Sequence, residues 1–111
     1  MLFRSILVER KGSIDEIAGN FTRERERFER EFIRAKANKT KMFLLIENCT
    51  WADIAAHNYR SELRPKALMG SLCQWQSRYE ITLIFCPKEL SGMMIHSTLY
   101  YWLKERLEHG G

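Results

Sequence analysis

The sequence predicts an α/β domain built on a mostly parallel sheet, and three observations carry that expectation. Apolar, strand-like runs alternate with segments of helical period, in the order β-α-α-β-α-α-β-α. The middle run, Met42 to Glu47 (MFLLIE), is continuously apolar up to its last residue, as in a strand buried on both faces. Two prolines, Pro65 and Pro87, stand where helices would open. Strands alternating with helices give parallel neighbours with helices on both faces of the sheet. At 111 residues, 45% apolar and 29% charged, the chain fits one domain over residues 1–111 with its own core.

Leu2 to Glu9 is the first expected strand. Ser13 to Phe21 follows as a helix, because Ser13 and Glu16 have the S-x-x-E spacing of a capping box. Ile14, Ile17, Ala18 and Phe21 then fall on one face. A second helix covers Thr22 to Asn38, with Phe21, Phe28, Phe32 and Ala35 as its apolar stripe. Arg23, Arg27, Arg30 and Arg34 line a roughly opposite face, flanked by glutamates. Thr50 and Asp53 cap a helix to about Tyr59, and Pro65 opens another to about Tyr79. Ile81 to Phe85 (ITLIF) is the third strand, and a last helix runs from Pro87 to about Glu108.

The formal charge of +4 and pI near 9.1 suit a polyanionic partner without requiring one. Cys49, Cys73 and Cys86 are widely spaced and odd in number, which argues against a disulfide framework or zinc ribbon and for a reducing cytoplasm. Arg4, Glu9, Arg10 and Lys11 would interrupt an apolar leader, and no run approaches a membrane span. His57, His96 and His109 have no metal-ligand spacing, and there is no P-loop, GxGxxG or GxSxG.

The chemistry concentrates in ILVERKGSID, Ile6 to Asp15. Alternation puts Leu7, Glu9 and Lys11 on one face of the strand, and Ile6, Val8 and Arg10 on the other. A carboxylate and an ammonium aimed at one volume suit phosphodiester hydrolysis: the acid holds a divalent cation and the ammonium meets developing charge. The same pair is also what a polar strand end with a surface ion pair would show. Asp15 likewise has a plain account as a favourable charge in a helix's first turn.

The longer pattern Glu9-Arg10-Lys11-Gly12-Ser13-Ile14-Asp15, after an apolar strand, resembles the signature of the XPF-type nuclease domain. That family has the restriction-endonuclease-like fold, a three-layer core, and belongs to the PD-(D/E)XK nucleases. GNFTRERERFERE and FLLIE match its Arg-Phe-rich segment and the buried strand that follows. The likeness covers most of the chain and is closest to the small, single-domain versions of phages and prophages. It implies an endonuclease dependent on Mg²⁺ or Mn²⁺, acting on branched or recombination-type DNA. It implies that Glu9 is a metal ligand and Lys11 the catalytic lysine, with Arg10 supporting the site or contacting DNA. Asp15 would be the signature's last acid, a second metal ligand that holds the site together. Arg27, with Arg23, would contact DNA. Glu47 matches by position only and is given no catalytic role.

The family pattern also places an Asp on the strand before this one, whereas Met1 to Val8 contain no carboxylate. The expectation is a domain truncated at its N-terminus. Two functions stay open: a nuclease, or a catalytically incomplete DNA-binding or subunit-interaction module of the same fold. A free sheet edge invites pairing, and Tyr100-Tyr101-Trp102 cannot all face a core. A homodimer through the edge or the C-terminal helix is therefore expected. The arginine stripe, laced with glutamates, suits a salt-bridged solvent face as well as a phosphate track.

Overall fold

In a computed structural model, which describes residues 2–110, three strands form one sheet. Strand β1 (Ser5–Lys11) is followed by helices α1 (Ile14–Asn20) and α2 (Arg25–Ala37), then β2 (Thr40–Glu47), α3 (Trp51–Ala55), α4 (Pro65–Tyr79) and β3 (Thr82–Cys86). A 3₁₀ turn at Lys88–Leu90 leads into α5 (Ser91–His109). The sheet order is β1-β2-β3 and both pairings are parallel. The expected order of elements and the α/β class are therefore those observed.

β1 extends two residues past its expected end. Arg10 and Lys11 pair with Leu45 and Ile46 of β2, so the ladder continues beneath two charged side chains. α3 is shorter than expected. Its Thr50/Asp53 capping box forms, but His57 takes a left-handed φ of 58° and turns the chain. α5 begins at Ser91 rather than at Pro87, because extended Pro87 opens only the 3₁₀ turn, whose Lys88 N–H donates to Asn48 Oδ1 at 3.0 Å.

One face of the sheet presents Met42, Leu44 and Ile46 to α1, α2 and α4. Phe21, Phe28, Phe32, Trp75 and Tyr79 meet there with ring centroids 4.6–6.0 Å apart. Arg25, outside the expected arginine stripe, donates to Ser71 Oγ at 3.0 Å and lies over the Phe21 and Trp75 rings, joining α2 to α4. The other face carries Leu45 and Glu47, which are buried, and α5. α5 packs loosely: Ser91 is its buried residue, while Leu99, Tyr100, Leu103 and Leu107 are exposed. Arg106 stacks on Trp102 and donates to the Phe3 carbonyl, tying the end of α5 to the segment before β1.

Candidate active site

Strand alternation sends Glu9 and Lys11 toward α1 and α2. Lys11 is only 7% exposed, and its Nζ lies 4.7 Å from the centroid of the Phe28 ring. An ammonium drawn out of water needs counter-charge. Two carboxylates supply it: Glu9 Oε1 at 3.7 Å and Glu16 Oε2 at 3.8 Å. Local sequence places Glu16. Ser13 Oγ accepts the Glu16 N–H at 3.0 Å, and Glu16 Oε1 accepts the Gly12 N–H at 2.8 Å. A capping box would send that side chain to the Ser13 N–H; here it reaches one residue further back. One carboxylate oxygen is anchored and the other faces Lys11.

Beside Lys11 lies a cleft of about 280 Å³ lined by Lys11, Asn20, Glu24, Arg27, Phe28 and Glu31. Asn20 Nδ2 donates to Glu24 Oε2 at 3.0 Å, and Arg27 pairs with Glu24 Oε1 at 2.7 Å. The Arg27 guanidinium holds the Glu24 carboxyl below its ordinary range, with a small contribution from Lys11. Asn20 is buried, and its Oδ1 has no hydrogen-bond partner.

The remaining expected site residues lie apart from this cluster. Arg10 points to the opposite face of the sheet, where Nη1 donates to Glu47 Oε1 at 2.8 Å. Buried Glu47 also accepts the Ser91 hydroxyl at 2.5 Å. That hydrogen bond, then Arg10, holds the Glu47 carboxyl below its ordinary range. Asp15 faces the α3–α4 loop: Oδ1 accepts the Arg60 N–H at 2.7 Å, and the Arg60 side chain is 4.0 Å from Oδ2. Exposed Arg23 lines a surface cleft with Asp15 and Arg60. Glu9, Lys11 and Arg27 thus gather on one side, and Arg10 and Asp15 do not join them. Glu16 is the neighbour that sequence reasoning assigned to capping alone. Its signal, the S-x-x-E spacing, has the same form whether or not the carboxylate reaches a lysine.

Glu9 and Glu16 are 32% and 47% exposed, so both are open to a ligand. Oxygen donors without thiol or imidazole fit Mg²⁺ or Mn²⁺, and Mg²⁺ takes one or two carboxylates and keeps waters. Among the described residues, another group of ligand atoms lies elsewhere: exposed Glu105, Glu108 and His109, within 4.8 Å of one another at the end of α5.

A three-stranded parallel sheet with helices packed against it is an α/β domain, and Glu9 and Lys11 meet at the end of its first strand. The ERCC4 domain model matches residues 1–96, and the chain belongs to that family. The family gives it a nuclease-like, DNA-processing fold, and its nucleases are usually metal-dependent. No curated protein and no solved structure matches the chain. Among the described residues, no helix is long and apolar enough to cross a membrane.

Proposed function

We propose that this chain is a divalent-cation-dependent endonuclease domain that hydrolyses phosphodiester bonds in branched or recombination-type DNA. The meeting of Glu9 with desolvated Lys11, 3.7 Å apart in an ERCC4 domain, carries this reading. Glu9 would hold Mg²⁺ or Mn²⁺, which when bound supplies a polarised phosphate oxygen and an acidified water. Lys11 offers a compact positive charge to the charge developing on the phosphate, in a site partly shielded from water by Phe28. Arg27, 69% exposed at the cleft, and Arg23 offer phosphate contacts that set register on the DNA. Arg10 supports the strand end through Glu47, and Asp15 holds the start of α1 to the Arg60 loop. Three free cysteines, Cys49, Cys73 and Cys86, suit work in a reducing cytoplasm.

The test is cleavage of flap and Holliday-type DNA with Mn²⁺, beside Glu9→Ala. Metal-dependent cutting that Glu9→Ala lowers by about 10²-fold or more is expected. Asp15, turned away toward Arg60, favours a second reading: a DNA-binding or subunit-interaction module without hydrolysis. DNA retained in a mobility-shift assay, with no cutting by the wild type, would select it.

A homodimer is part of the proposal. Exposed Leu99, Leu103 and Leu107 recur every four residues along α5, so they share one face. Sedimentation of Leu103→Glu beside the wild type tests it; equal masses for both would reject that face.

A further inference from the structure

A divalent cation held by Glu9 has room for a second protein carboxylate, and Asp15 is engaged by Arg60. Resting on the nuclease reading, we infer that Glu16 supplies the second carboxylate of the cation site, opposite Glu9. Three observations support the assignment. Glu16 and Glu9 present carboxylate oxygens to the same Nζ, at 3.8 and 3.7 Å. The Gly12 N–H fixes Glu16 Oε1 at 2.8 Å, so Oε2 is held toward the site with little conformational entropy left to lose. One helical turn further, on the same face of α1, Asn20 lines the cleft beside Lys11. It is 8% exposed, and its Oδ1 has no partner. A buried acceptor without a donor carries a desolvation cost that a water bound in this cleft would relieve.

Lys11 now provides the positive charge between the two acids. Glu9 and Glu16 would hold the cation, and the Lys11 ammonium would offer its charge to the phosphate beside it. Glu16 is thus assigned two tasks from one position: Oε1 caps the start of α1 and Oε2 binds the cation. A substitution that keeps the first task and removes the second separates them. Glu16→Gln does so, because its amide oxygen can still accept the Gly12 N–H.

The experiment is Mn²⁺ binding to the full chain without DNA, by calorimetry and by electron paramagnetic resonance of free Mn²⁺. All proteins carry His109→Ala, which dismantles the exposed Glu105–Glu108–His109 cluster. The background protein should bind Mn²⁺, and Glu16→Gln should weaken binding at least tenfold while its melting temperature falls by no more than the few degrees that one screened ion pair is worth. Asp15→Asn should bind within about twofold of the background. If Glu9→Gln abolishes binding and Glu16→Gln does not, the assignment of Glu16 is overturned and the nuclease site stands. If the background protein binds no Mn²⁺, the metal-dependent reading fails and the assignment with it.

Discussion

Replacing Lys11 with Met separates chemistry from stability. The two ion pairs, at 3.7 and 3.8 Å, would each be worth about 1 kcal/mol with water-like screening and about 4.5 kcal/mol at an effective dielectric constant near 20. Glu9 and Glu16 are about one-third and one-half exposed, which favours the weaker figure. Met keeps an unbranched stem against Phe28 and removes the cost of burying an ammonium. The net loss should be about 1–2 kcal/mol, a drop in melting temperature of roughly 5–10 °C for a domain of this size. Cleavage of a Holliday-type substrate with Mn²⁺ should fall by about 10²–10³-fold, as when one donor to a developing charge is removed. Cleavage at the wild-type rate would refute the role given to the ammonium. A loss of 3–5 kcal/mol would refute the screening argument, because that is the cost of breaking a fully buried pair.

Trp75 is fully buried among Phe21, Phe28, Phe32 and Tyr79, so Trp75→Ala should cost about 3–5 kcal/mol in equilibrium urea unfolding. Its Nε1 has no acceptor, so Trp75→Phe should cost far less: deleting a buried unpaired donor returns about 1–3 kcal/mol. Equal losses for the two variants would sink that argument. Burial pushes the Cys49 thiol up to about 11, and Cys73 is exposed, so a thiol reagent at pH 8 should modify Cys73 promptly and leave Cys49 intact until unfolding. Prompt modification of Cys49 would contradict its placement. The Ser91 hydroxyl holds Glu47 below the ordinary 4.5, and the Tyr79 hydroxyl does the same for Glu29. Unfolded carboxyls bind protons first as pH falls, so this stabilisation is complete above about pH 4.5 and is lost as pH drops through the folded values. Thermal melts should show that loss, and Glu47→Gln should show a shallower one; identical slopes would rule out a contribution from Glu47.

Elements whose signals are local were legible in the sequence. α4 runs from Pro65 to Tyr79 as expected, because Pro65 fits the first helical turn and Glu80 ends it in a left-handed conformation. The Ser13 cap and the apolar face of α1 gave that helix to within a residue at each end. What stayed hidden depends on partners distant in sequence. Arg25 reads as one more charge in a charged helix until Ser71 and Trp75 arrive from α4. The turn of Asp15 toward Arg60 depends on a loop 45 residues away. Glu16 was obscured differently, since its local role in capping gave no reason to look for another.

The Glu-Arg-Lys run draws its meaning from the pleat. Had the strand ended at Glu9, Arg10 and Lys11 would be loop residues free to face one way. Because β1 stays paired with β2 through Lys11, the two cations are forced to opposite faces. Lys11 is then held beneath α1 and α2, and Arg10 beside the start of α5, where Glu47 joins Arg10 to Ser91. A buried carboxylate at a helix N-terminus is favoured by the helix dipole as well as by its hydrogen bonds. The first turn of α5 is therefore fastened to the strand end that carries the candidate site, although the rest of the helix packs loosely. The family match reaches residue 96 and so includes this fastening. The exposed leucines at 99, 103 and 107 lie beyond it. Arg10 thus serves the site from behind the sheet: weakening its bond to Glu47 would loosen, through the backbone, the strand end that aims Glu9 and Lys11.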